Sequence, residues 1–206
     1  MVETLYETDG LSAFEISQKL QISLGAVYYF FRHHKIPRRK ANESNRLRYE
    51  RSERSFRPIH SLNPSQVILK TAALSLYWAE GAKGGYTVDF TNSNEKMCLI
   101  FLKFLREICR VDERKLRGYI YCHEKREVKK LISYWSRLTG IPKSQFSKPY
   151  IKQTDKMERS SHPKRMPNGL LHIRYSDLKL LRQILQWIDQ ESSLWVGSEA
   201  VKRTTL

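Results

Sequence analysis

Ala73-Leu74-Ser75-Leu76-Tyr77-Trp78-Ala79-Glu80-Gly81 ends an amphipathic run that begins near Ser65, with apolar residues at Val67, Ile68, Ala72, Leu74 and Tyr77. Small residues at Ala73, Ser75 and Ala79 sit among large ones. On a helix, small side chains let another backbone approach closely, and the large ones fill the space alongside. The run stops at an acid followed by Gly81, a residue that tolerates the left-handed conformation at a helix end. A carboxylate there meets the negative pole of the helix dipole, a poor place for an acid unless a cation sits against it.

Downstream, Lys83-Gly84-Gly85 leads into a short strand over 86–90. Asn94 or Ser93 caps a helix over 95–110 whose apolar face is Leu99, Phe101, Leu102 and Leu105. Residues 116–123 alternate, with Leu116, Gly118, Ile120 and Cys122 on one side and Arg117, Tyr119, Tyr121 and His123 on the other. A helix over 125–139 is stopped by Gly140 and Pro142. Strands over 148–154 and 169–175 follow, joined by a polar loop, and a helix over 178–188 closes the order. Residues 191–206 read as an aperiodic tail. The predicted class is α+β, with helices on a small antiparallel sheet.

Upstream, residues 11–34 read as two helices with a tight turn. Ser12 and Glu15 have capping-box spacing, Gln21-Ile22 turns the chain, and Ser23 caps the second helix. The pattern resembles a helix-turn-helix, whose second helix would present Gly25, Tyr28, Tyr29 and Arg32 to DNA. Arg38, Arg39 and Lys40 follow as a basic hook. Between Arg32 and Arg57 there are ten Lys or Arg against three acids. With few large apolar residues, 41–62 is predicted to be a basic linker or arm without a core. The expected division is 1–40, the linker, 63–190 and the tail.

Among 206 residues, 40% are apolar and 11% aromatic, enough for a core, and the net charge is +16. That balance calls for a polyanionic partner, with nucleic acid first. No apolar run approaches membrane-spanning length. Glu3, Glu7 and Asp9 argue against a signal-type start. Cys98, Cys109 and Cys122, an odd number without a CxxC pair, read as buried thiols in a reducing cytoplasm.

The 73–81 stretch, taken with the order of elements after it, resembles the motif of the LAGLIDADG homing endonucleases, over roughly 65–189. Leu76, Ala79 and Gly81 match, and Glu80 stands where that family has its metal-binding aspartate. Ser75 replaces a glycine, Ala73 the first leucine and Trp78 the middle acid. The resemblance implies a homodimer packed through Ala73, Ser75, Leu76 and Ala79, because only one motif is present per chain. It implies Mg²⁺ or another divalent cation held at Glu80 and Gly81 of two copies, with no small-molecule cofactor. Lys83 and Lys148 are the candidate catalytic lysines. The strand residues Arg117, Tyr119, Tyr121, Lys152, His172 and Arg174 would then face double-stranded DNA. Between Lys143 and Arg182 the count is again ten basic against three acidic residues, an imbalance that favours DNA.

The expected activity is site-specific cleavage of duplex DNA by a cytoplasmic, nucleoid-associated dimer. Two other functions fit the same organisation: a WhiA-type transcription regulator that binds DNA without cutting, and an RNA-binding intron maturase.

Overall fold

A tyrosine and a glycine at the end of one helix set the chain's path into the sheet, and both lie within the stretch quoted above. The computed structural model describes residues 1–123, 127–152 and 167–196. The chain divides into two compact units, Met1–Glu53 and Arg54–Leu206.

Local capping builds the first unit. Helix α1 spans Val2–Glu7, α2 Ala13–Leu20, α3 Leu24–His33 and α4 Ala41–Arg51. Ser12 Oγ accepts from the Glu15 N–H while the Ser12 N–H donates to Glu15 Oε2, the predicted capping box. Ser23 Oγ likewise accepts from the Ala26 N–H. Gln21 takes the left-handed position between α2 and α3 at φ 55°. Leu5, Tyr6, Ala13, Ile16, Val27, Phe31 and Ile36 form the core. Helix α1 was not expected, yet its Leu5 and Tyr6 close that core.

The expected linker over 41–62 is not one element. Its first part is α4, which buries no residue, as its composition requires. Leu47 lies over Gly10, and Arg51 pairs with Glu15 at 3.0 Å. From Arg54 the chain belongs to the second unit. Phe56 is 2% exposed within that unit's core, and the Arg57 and Ile59 N–H groups donate to Cys109 and Ile108 carbonyls. One aromatic side chain in a basic stretch moves the boundary to 53/54.

In the second unit, α5 spans Pro64–Glu80, β1 Val88–Asn92, α6 Glu95–Glu107, β2 Leu116–His123, α7 Val128–Thr139, β3 Tyr150–Lys152, β4 Leu170–Tyr175 and α8 Leu178–Val196. Asn63 forms a capping box with Gln66 at the start of α5, and Asn94 caps α6. The sheet order is β1-β4-β2-β3. Strand β4 pairs antiparallel with β1 and β2, but β3 runs parallel to β2. The α+β class stands as predicted, while the expected antiparallel sheet is mixed. Helix α7 is the reason: a crossover helix returns the chain to the end where β2 began, so the next strand runs parallel.

The helices pack on one sheet face. Val88, Phe90, Leu116, Ile120, Leu171, Ile173 and Tyr175 point into the core with Leu74, Tyr77, Phe101, Leu105, Trp135 and Leu181. Cys98, Cys109 and Cys122 are free, buried thiols. Burial pushes the Cys98 thiol up to about 12 and raises Cys109 as well.

Strand β1 starts two residues later than expected. Helix α8 continues through residues assigned to the tail and is described as far as Val196. Lys70 of α5 explains the extension, since its ammonium pairs with Glu191 at 3.1 Å and lies 5.1 Å from the Trp187 ring. Most of the expected polar loop (155–166), the first residues of the helix expected from 125, the end of the third strand (153–154) and the tail beyond 196 lie outside the described residues.

Gly81 does not use the left-handed conformation that a glycine tolerates at a helix end. It is extended, at φ −83° and ψ 148°. Glycine is needed there for space: a Cβ would stand 2.5 Å from the Tyr77 ring. Tyr77 is fully buried and its hydroxyl donates to the Ala82 carbonyl at 2.6 Å. The Ala82 N–H then donates to the Asp89 carbonyl, laying the chain along β1. Gly81→Ala should therefore lower stability by about 1–3 kcal/mol through overpacking. Gly84→Ala, with nothing within 4 Å of a new Cβ, should leave it within about 0.5 kcal/mol. Chemical denaturation of the two variants beside the parent checks the contrast.

Candidate nucleic-acid interface

Because side chains alternate across a strand, burying one face of this sheet presents the other. Register places its residues in rows. Asp89, Arg174 and Arg117 stand opposite one another on β1, β4 and β2. Thr91, His172 and Tyr119 form the next row. Leu170, Tyr121 and Tyr150 form a third, and Lys152 pairs with His123 at the far edge. Six residues assigned to DNA from the sequence, Arg117, Tyr119, Tyr121, Lys152, His172 and Arg174, thus share one face. Asp89, Thr91 and Tyr150 join them and were not assigned.

The central rows are cross-linked. Asp89 Oδ2 accepts from Arg174 Nε at 2.7 Å, and Asp89 Oδ1 lies 3.0 Å from His172 Nδ1. Thr91 Oγ1 is 2.7 Å from the same ring nitrogen. Burial alone would raise the Asp89 carboxyl. The hydrogen bond and charge of His172, with those of Arg174, more than offset it and hold the group below the usual aspartate range. Tyr119 lies under both partners of Asp89, 4.3 Å from the Arg174 guanidinium carbon and 5.0 Å from the His172 ring. Tyr121 and Tyr150 stack at 5.3 Å and 15°. Arg117 is exposed and donates to the Arg114 and Leu116 carbonyls, leaving its charge uncompensated by an acid among the described residues. The alternation Val88-Asp89-Phe90-Thr91 carried the signal for Asp89, which the sequence reading left unassigned.

In the first unit, Gly25, Tyr29 and Arg32 are exposed on α3. Arg38 lies 4.7 Å over the ring of the half-buried Tyr28. A groove of about 610 Å³ runs along this face, lined by Gly25, Tyr28, Phe31, Arg32, Lys35 and Arg38. Lys40 is exposed at the start of α4. Arg39 departs from the expectation. Its guanidinium donates to the Tyr6, Gly10 and Leu11 carbonyls and lies 3.8 Å from the Tyr6 ring, so its donors hold the α1–α2 connection together.

No family model, curated protein or solved structure matches this chain. The candidate site rests on its own geometry.

At the foot of α5, Glu80 and Lys83 are exposed, and Gly81 is buried with its N–H donated to the Tyr77 carbonyl. Lys148 is exposed but precedes β3 rather than lying on it. Among the described residues no group of three or more His, Cys, Asp or Glu gathers in one chain. On the helix itself, Ser75 and Ala79 are exposed, in line with Ile68 at 71%. Leu76 is half-buried against the core. Ala73 is fully buried inside its own unit and is not part of that outward stripe. A small residue at that position serves close packing within the chain. No helix among the described residues is long and apolar enough to cross a membrane.

The Asp89 cluster generates a pH dependence with a definite sign. A folded carboxyl held below its unfolded value stabilises fully above the ordinary aspartate range and loses that contribution as pH falls through it. Asp89→Asn should cost about 1–3 kcal/mol at neutral pH, and the gap to the parent should close as pH drops below about 4. Urea unfolding across that range reads both.

Proposed function

We propose that this chain is a double-stranded DNA-binding protein of the homing endonuclease type, working as a homodimer. The observation that carries the reading is the open sheet face, where Arg117, Arg174, His172 and Lys152 stand among paired tyrosines in a chain of net charge +16. Arginine, lysine and tyrosine serve phosphates and base edges, and a major groove admits a two-stranded ribbon such as β4–β2. The capped α2–α3 pair and its groove support a second contact through the recognition helix.

Cleavage is assigned to Glu80. Its carboxylate is exposed at the last position of α5, beside the outward stripe of Ile68, Ser75 and Ala79. Packing two copies along that stripe would bring two such acids together. Mg²⁺ is commonly held by one or two carboxylates plus phosphate oxygens, which suits one Glu80 from each copy. Bound there, it would polarise the phosphate and activate water. Lys83, two residues beyond Gly81, is placed to offset charge on the same phosphate. Gly81 shapes the turn and gives no side chain to the site.

Glu80→Gln keeps the size of the side chain and removes the charge a cation needs. Cutting of a labelled target duplex with Mg²⁺ should fall by about a hundredfold or more, while a mobility shift on the same samples is retained. Equal cutting by the Gln variant would displace the active site from Glu80. No Mg²⁺-dependent cutting by the parent, with the shift retained, would favour a regulator that binds without cleaving.

Starting the chain at Arg54 removes the first unit and keeps Phe56 in the second unit's core. The truncated chain should fold, bind its target more weakly and show a shallower salt dependence, by about one unit of slope for each phosphate it no longer neutralises. An unchanged slope would show that the first unit does not touch DNA.

A further inference from the structure

One guanidinium at the centre of the open face is held on two sides. Asp89 fixes the Nε edge of Arg174 at 2.7 Å, and the Tyr119 ring lies against its plane at 4.3 Å. Asp89 is itself held by His172. The two terminal nitrogens of Arg174 have no hydrogen-bond partner among the described residues, and its side chain is 35% exposed. The free edge of a planar fork is therefore presented with little rotamer freedom left to lose.

Charge separates the two things such a fork could grip. A phosphate rewards net positive charge, and Asp89 cancels the charge of Arg174. Arg117, directly across β2 in the same row, makes its hydrogen bonds to carbonyls and keeps its charge. The row thus offers a full cation at Arg117 and a neutralised, oriented fork at Arg174. Two parallel N–H donors match O6 and N7 of guanine in the major groove, a pairing set by geometry more than by charge. Adenine presents a donor at N6 where guanine presents O6, so the fork discriminates against it. A-form RNA closes its major groove to side chains, which leaves B-form DNA as the duplex that fits.

We propose that Arg174 selects a guanine in the major groove of duplex DNA, with Asp89 and Tyr119 as its positioning residues. The proposal rests on the DNA-binding reading above and adds a base identity to it. His172 lies two residues along the same face of β4. Same-face residues are about 6.8 Å apart on a strand, which matches about two base steps of 3.4 Å, so the selected guanine has a neighbouring position to serve as an internal reference.

The test is selection from a randomised duplex library by the full chain, by Arg174→Lys and by Asp89→Asn, followed by affinity measurement on the enriched duplex and its single-base variants. The parent should enrich a guanine that Arg174→Lys ceases to prefer, losing about tenfold or more in discrimination there, with the position two steps away unchanged. Asp89→Asn should relax the same position while keeping the cation, so its salt slope should not fall. A merely structural Asp89 would weaken all positions together, and that pattern overturns its positioning role. Identical preferences in the parent and Arg174→Lys overturn the proposal while leaving DNA binding intact. Failure of the parent to retain any duplex overturns the DNA-binding reading and the proposal with it. Thermal melts of the variants confirm that each is folded; if Arg174→Lys is not, Asp89→Asn carries the comparison.

Discussion

The second unit turns on the contact between the Tyr77 ring and Gly81. Tyr77 is the last fully buried residue of α5, and its ring is 5.3 Å from Phe101, which stacks in turn on Phe90 at 4.6 Å. Helix α5, helix α6 and strand β1 therefore meet around one aromatic column. A side chain at position 81 would push into that column. Without it, the Tyr77 hydroxyl reaches the Ala82 carbonyl and the backbone pairs with β1 one residue later. The same turn leaves Glu80 outside and Gly81 inside, so the path into the sheet also decides which residue can meet a ligand.

Charge on the open face is uneven. Two arginines stand on it, Arg117 and Arg174, and the second is matched by a half-buried acid and by one aromatic and one imidazole neighbour. Desolvating Asp89 is costly, and the network offsets that cost only while all its members are present. Such a cluster spends stability on orientation. Arg39 in the first unit shows the opposite use of the same side chain, with its donors turned inward to satisfy carbonyls in a loop that has no strand to pair with.

Much of this was legible in the sequence. Strand β2, the caps at Ser12, Ser23 and Asn94, and the final two elements follow from alternation and from hydroxyl or amide groups at helix starts. What escaped depended on contacts distant in sequence. Phe56 stands alone among arginines, and only Cys109 and Ile108, far along the chain, make its position a core position. Lys70 and Glu191 lengthen α8 for the same reason. The parallel pairing of β3 follows from a crossover that periodicity does not encode. Ala73 and Gly81 were assigned to a partner chain and a metal, because a small residue looks the same whether the close neighbour is its own chain or another. At the candidate site, alternation placed six residues on one face, but the pairing of Asp89 with Arg174 required the β1–β4 register.

All three thiols lie in the second unit and are buried, while the first unit has no cysteine. Thiols held protonated in a core react with alkylating reagents only when the surrounding structure opens. The chain therefore carries native reporters of one unit alone. Labelling rates would follow the opening of the helix-on-sheet core, and the helical first unit could melt and refold without a mark.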